Sequence, residues 1–139
     1  MNKIKLVNSL KLDDNKNSVF LMYYHLVLVV KYRIKVIDKE ISKRLKEIFE
    51  YIGPNYNITV AGWNDDIDHV HVLFKDHPNS RLTKFINAYK SASSRLIEKV
   101  FPQIRSKLLK EHFWTRSFCL FTTGGVTIDV IQKIYRNPR

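Results

Sequence analysis

The run VFLMYYHLVLVVKYR at residues 19–33 limits this chain more than any other feature. It is dense in β-branched and aromatic side chains and carries no Gly or Pro. It therefore reads as a long, well-buried strand that ends on a basic tip. A strand this apolar needs cover on one face and pairing on its edges, and the following segments supply both. Asp38 caps a helix that runs to about Tyr51, with Ile41, Leu45, Ile48, Phe49 and Ile52 on one stripe, and Gly53-Pro54-Asn55 stops it. YNITVAGW at 56–63 predicts a second strand, the polar stretch NDDID a turn, and HVHVLFK at 69–75 a third strand antiparallel to the second. Pro78-Asn79-Ser80 opens a long helix over 81–100, with Leu82, Phe85, Ile86, Tyr89, Leu96 and Ile97 toward the core. A basic connector with some helical character covers 101–112, SFCLFTT at 117–123 is a fourth strand, Gly124-Gly125 a turn, and 127–136 a short terminal helix. The fold class is α+β. The order β-α-β-β-α-β predicts a ferredoxin-like antiparallel sheet with both helices on one face, plus a C-terminal helix.

Length and composition fit one such unit. The 139 residues suit a single core. Residues 1–18, rich in Lys, Asn and Asp, read as a loosely ordered basic arm, and 19–139 as the one domain. Lys and Arg total 24 against 13 acidic residues, a formal charge of +11, with a pI near 9.8. That excess favours phosphate-rich partners. The single cysteine, Cys119, excludes an internal disulfide framework and reads as a buried small hydrophobe, compatible with a reducing cytoplasm. The first residues lack an apolar core long enough for a signal peptide, and the longest apolar run is too short to span a bilayer. The expectation is a cytoplasmic protein with no membrane partner.

His69 and His71 are the candidate site. They stand two apart on a strand, so the period of two sets both imidazoles on one face, with Val70 in the core. Two adjacent, same-facing imidazoles suit a divalent ion, Mg²⁺ or Mn²⁺, held against a phosphate. The same pattern is also met as half-exposed histidines bonded to neighbours. Asp65, Asp66 and Asp68 just upstream are ordinary turn residues that add slightly to the metal case.

Four segments, in order, carry a resemblance. YHLVLVVKYRIKV, DHVHVLF, FINAYKSASSRLI and HFWTRSFCLFTTGG are similar to the opening strand, histidine motif, second helix and last strand-turn of the single-tyrosine transposases of bacterial insertion sequences. These are insertion-sequence-200-like members of the HUH superfamily, and the likeness covers nearly all of residues 20–133. It implies a metal-dependent DNA strand transferase that binds hairpin ends of a mobile element. Such an enzyme cleaves and rejoins single-stranded DNA through a 5′-phosphotyrosine. It also implies a homodimer in which the tyrosine helix of one subunit completes the site of the other.

In that family the terminal helix carries a pattern like K-Y-I-x-x-Q, with the tyrosine as nucleophile and the glutamine as third metal ligand. This chain departs from it. Counted from Gly124-Gly125, the tyrosine column falls on Ile134 and the glutamine column on Pro138. Tyr135 is then the nucleophile one position late, a rotation of roughly 100°, and Gln132, one turn before it, is the possible third ligand. The alternative is a catalytically impaired relative acting only as a nucleic-acid-binding module.

The phosphate-binding candidates are Lys31, Arg33 and Lys35 at the end of the first strand and Lys90, Ser94 and Arg95 on the second helix, with Arg105, Lys107 and Lys110 extending the basic surface. Trp63 and Trp114 read as core packing rather than base-stacking platforms, and His25 as a satisfied core histidine. Asn64 is a candidate for orienting a histidine or a water.

Overall fold

The computed structural model describes residues 22–76, 81–109 and 112–122. The arm at 1–18, the Gly124-Gly125 turn and the helix expected at 127–136, with Gln132 and Tyr135, lie outside the described residues. Strand β1 runs Met22–Val29, helix α1 Lys39–Ile52, β2 Ile58–Asp66 and β3 His69–Asp76. Helix α2 spans Leu82–Val100, the short α3 Pro102–Lys107 and β4 Cys119–Thr122. All neighbouring strands are antiparallel, in the order β2-β3-β1-β4. This is the expected split β-α-β arrangement with β1 and β3 in the middle.

Parity along β1 sorts the sheet into two faces. Leu26, Leu28 and Val30 are buried and point to the helices, joined from β3 by Val70, Val72 and Phe74. Their neighbours Tyr23, His25, Val27 and Val29 take the opposite face. Helix α1 starts where predicted, its first-turn Ile41 N–H donating to the Asp38 carboxylate at 2.8 Å. It buries Ile41, Leu45, Ile48 and Phe49 on the sheet. Helix α2 buries Phe85, Ile86, Tyr89 and Ile97 beside it. Leu96, expected inside, is exposed; the inward line instead includes Ser93, whose hydroxyl accepts from Trp114 Nε1 at 2.8 Å and donates to the Tyr89 carbonyl at 2.6 Å. Both tryptophans pack in or against the core, as read.

Phe49 is the hub of that core. Its ring lies 5.0 Å from Phe85, 5.0 Å from Tyr89 and 5.8 Å from Phe74, centroid to centroid. Phe49→Ala is expected to cost about 3–5 kcal/mol, the transfer of a buried ring plus the cavity it leaves, read as a lower urea midpoint at unchanged slope.

Three sequence readings move. The first strand does not continue to Arg33: Lys31–Arg33 is a tight helical turn, with Tyr32 and Arg33 in left-handed backbone at φ 58 and 52°. The second strand reaches Asp66, so the hairpin turn is only Ile67-Asp68. A register shift between Val60 and Gly62 resets the parity of β2. Asp65 therefore faces α1, accepting from the Ser42 hydroxyl at 2.6 Å, while Asn64 and Asp66 lie opposite His71 and His69. Finally, His25 and Cys119 are not core residues. Both sit on the face that no described helix covers, called here the helix-free face, His25 stacked on Phe121 at 4.8 Å and Cys119 exposed.

Candidate functional site

Strand β3 places His69 and His71 side by side on the helix-free face, as period two requires. Their rings are 4.9 Å apart, centroid to centroid, tilted by 45°. Val70 between them is fully buried and anchors the pair to the core. Across the sheet, Asp66 and Asn64 of β2 flank the histidines on one side, and Val29 and Val27 of β1 on the other. Cross-strand partners in an antiparallel sheet share a face, so the rings have polar neighbours on one side and apolar neighbours on the other.

His69 is further constrained. Its Nδ1 lies 2.7 Å from the Asp68 carboxylate, whose other oxygen lies 3.3 Å from Arg33 Nε. The hydrogen bond with His69 and then the Arg33 charge hold the Asp68 carboxyl below the usual carboxylate range, against the opposing pull of its desolvation. A carboxylate behind one ring nitrogen directs the other, Nε2, toward a ligand, the arrangement common behind metal-binding histidines. The donor set is partial. Among the described residues no cluster of three or more His, Cys, Asp or Glu forms that could hold an ion. The two imidazoles therefore suit one side of a divalent ion whose remaining donors come from elsewhere.

On the helix side, a basic groove runs between α2 and the segment at 112–116. One part, about 370 Å³, is lined by Lys31, Lys90, His112 and Arg116 together with Asn87 and Ser91. The adjoining part, about 580 Å³, carries Arg95, Lys99 and Arg105 against the single acid Glu98. Backbone pairing fixes its outer wall: Lys31 N–H donates to Phe113 O at 2.8 Å, and Thr115 N–H to Val29 O at 2.8 Å. Lys90 Nζ donates to the Arg116 carbonyl at 2.7 Å, and partial burial holds its ammonium below the ordinary lysine range.

The groove thus brings together Lys31, Lys90, Ser94 and Arg95 of the six residues expected to meet phosphate. Lys35 is exposed beyond the β1 turn, and Arg33 is engaged with Asp68. Ser94 is only 7% exposed. Its hydroxyl accepts from the Phe113 N–H at 2.9 Å and donates to Glu98 at 3.3 Å, so it holds the groove wall in place. Asn87, His112 and Arg116 were not signalled by the sequence; the loop carrying the last two is positioned by its pairing with the end of β1.

The chain thus presents two surfaces, a histidine pair on one face of the sheet and a cationic groove on the helix side. The family model described as "Transposase IS200 like" matches residues 18–137. The chain belongs to the IS200-like transposase family. Among similar proteins, the ISDra2 transposase TnpA of Deinococcus radiodurans is 32% identical over 89% of each chain. The transposase for insertion sequence element IS200 of Salmonella typhimurium is 24% identical over 80% of this chain and 73% of its own. A crystal structure of a protein assigned as a transposase in Deinococcus radiodurans superposes with a TM-score of 0.70 at 27% identity, covering 88% of this chain and 94% of that one. A REP-associated tyrosine transposase bound to a REP hairpin has the same fold, with TM-score 0.57 at 9% identity over 81% of this chain and 62% of that one. The transposase is accordingly a DNA strand-transfer protein. Among its described residues no helix is long and apolar enough to cross a membrane.

Proposed function

We propose that this transposase cleaves and rejoins single-stranded DNA at the hairpin ends of a mobile element through a 5′-phosphotyrosine. In this reading His69 and His71 hold a divalent metal, Mg²⁺ or Mn²⁺, and Tyr135 is the nucleophile. The observation that carries the reading is the pair of imidazoles 4.9 Å apart on the helix-free face, one pinned through Nδ1. Gln132 is the third donor in this scheme. When bound, the metal draws charge from the scissile phosphate and polarises it toward attack. The Tyr135 oxygen bonds to phosphorus, the P–O3′ bond breaks, and the departing strand leaves as a 3′ hydroxyl with the proton. The link keeps the bond energy for rejoining, so no nucleotide cofactor is needed. A homodimer with composite sites fits β4, which is an edge strand of the sheet among the described residues.

The test is incubation with Mn²⁺ and the hairpin-bearing end DNA of its own element. The expected products are a free 3′ hydroxyl strand and a covalent protein–DNA adduct, both lost on chelation. Hairpin binding without cleavage in any divalent metal sinks the catalytic reading. It leaves the alternative of a catalytically impaired DNA-binding relative, which the Ile134 and Pro138 substitutions in the family's pattern favour.

The groove supplies the backbone contacts in this scheme. Arg95 is exposed in it, so Arg95→Ala is expected to weaken binding of all DNA sequences alike. The salt dependence of log Kobs falls by about one unit of slope or slightly less, read by fluorescence anisotropy over a salt series.

A further inference from the structure

A neutral imidazole carries one N–H, and which nitrogen bears it decides which can bind a ligand. In His69 the fold makes that choice. Nδ1 sits 2.7 Å from Asp68 Oδ1. An ionised carboxylate only accepts, so the proton belongs on Nδ1 and the lone pair on Nε2. Residues adjacent in a regular strand point to opposite faces. Asp68 reaches its own neighbour only because it closes the two-residue hairpin turn before β3.

That turn is held from outside. Val30 N–H donates to the Asp68 carbonyl and Ile37 N–H to the Ile67 carbonyl, each at 2.9 Å. The side chain is held as well. Arg33 Nε lies 3.3 Å from Asp68 Oδ2, and Arg33 gets there through the left-handed pair Tyr32-Arg33, its own N–H donating to the Val30 carbonyl at 2.7 Å. Non-glycine residues rarely adopt two such conformations in succession. Here they turn a chain that would otherwise run on as strand back toward the hairpin. The side chains of Asp68 and His69 are 13% and 14% exposed, against 64% for Arg33. The carboxylate–imidazole contact is thus shielded from water, and the guanidinium is its solvent-facing lid.

We infer that Asp68 is the positioning residue of the site, fixing the Nδ1–H tautomer and ring orientation of His69, with Arg33 holding Asp68 in place. This turns Arg33 from a phosphate contact into a support for the histidine. Its consequence for metal affinity rests on the proposed function. Its consequence for the tautomer does not, so the two can fail separately.

The measurement is long-range ¹H–¹⁵N correlation of the histidine rings, without metal, at a pH where the imidazole is neutral. The expected result is an Nδ1–H tautomer at His69 in the wild type and a shift toward Nε2–H in Asp68→Ala. Asp68→Asn, whose carboxamide can donate an N–H to Nδ1, is expected to shift the ring toward Nε2–H as well while keeping the contact's geometry. Alongside it, Mn²⁺ calorimetry is expected to show affinity lower by about ten- to a hundredfold in Asp68→Ala. The loss is at most about fivefold in Arg33→Ala and fades as salt rises. An Nε2–H tautomer in the wild type overturns the inference with no substitution needed. So does an unchanged tautomer in a folded Asp68→Ala. Absence of Mn²⁺ binding in the wild type, with the Nδ1–H tautomer present, sinks the metal reading and leaves the positioning role standing.

Discussion

His71→Ala is expected to lower the rate of strand cleavage by about a thousandfold or more, with DNA affinity nearly unchanged. Charge stabilisation at a phosphate by a bound divalent ion amounts to several kcal/mol, and about 4 kcal/mol corresponds to about a thousandfold in rate. Removing one of two imidazoles leaves a single nitrogen donor on β3. The fold should tolerate the change. His71 stands on the helix-free face, and the strand is anchored by the fully buried Val70 and Val72 on either side of it. The cationic groove lies on the other face, lined from α2 and the 112–116 segment, so backbone binding persists. His69→Ala is expected to behave alike. Cleavage at the wild-type rate by a folded His71→Ala protein, with binding intact, would remove the histidines from the chemistry. Loss of binding and cleavage together would instead join the two surfaces into one.

Why the histidine pair was legible while its support was not follows from the kind of pattern each depends on. Alternation in HVHVLF needs only the pleat of one strand, and the apolar positions Val70, Val72 and Phe74 fix the phase. The sheet order and both helices rest on equally local signals: the Asp38 cap, the Gly53-Pro54 stop and the stripes at helical spacing. Gly53 also meets a tertiary demand, since a Cβ there would lie 2.7 Å from the Ile58 carbonyl oxygen. Asp68, by contrast, acts through a turn whose length depends on where β2 ends. β2 runs three residues past the expected Trp63, and the register shift at Val60/Gly62 decides which face each of them takes. Arg33 depends on a left-handed turn written in the letters of a strand, where VVKYR gives no glycine to mark it. His25 and Cys119 were placed inside because their surroundings are apolar. They share strand parity with His71 and Val27, which puts them outside.

Tyr135→Phe is expected to abolish the covalent DNA adduct outright, with the metal and DNA affinities unchanged. A ring without its hydroxyl cannot form the phosphotyrosine, and no side reaction of the site replaces it. Of the six described tyrosines, five make poor substitutes for physical reasons; one of them, Tyr56, packs on Phe85 against the core, centroids 5.5 Å apart. Tyr89 is fully buried, its hydroxyl donates to the Leu45 carbonyl, and burial drives its ionisation far above the ordinary tyrosine range. Tyr24 lies on the helix side, stacked on Phe74, and burial followed by the nearby Asp76 charge raises it as well. Tyr23 shares the face of the histidines, yet it stands four residues along β1 from Val27, the partner of His71. At about 3.4 Å per residue that is roughly 14 Å from His71, and His69 lies farther still. Tyr51 is exposed on α1, whose other side packs on the opposite face of the sheet. Tyr32 is exposed on the β1 turn next to Arg33, and it is the described tyrosine that most needs a direct control. Tyr32→Phe is expected to keep full adduct yield. Adduct in Tyr135→Phe and none in Tyr32→Phe would move the nucleophile to the turn. Because Ile134 stands in the family's tyrosine column, the double change Ile134→Tyr/Tyr135→Ile restores the family order. It is expected to match or exceed the wild-type cleavage rate if the one-position shift, about 100° were the segment helical, hinders attack by Tyr135. A fall in rate on restoring that order would show that this transposase works with the tyrosine at position 135 and not at 134.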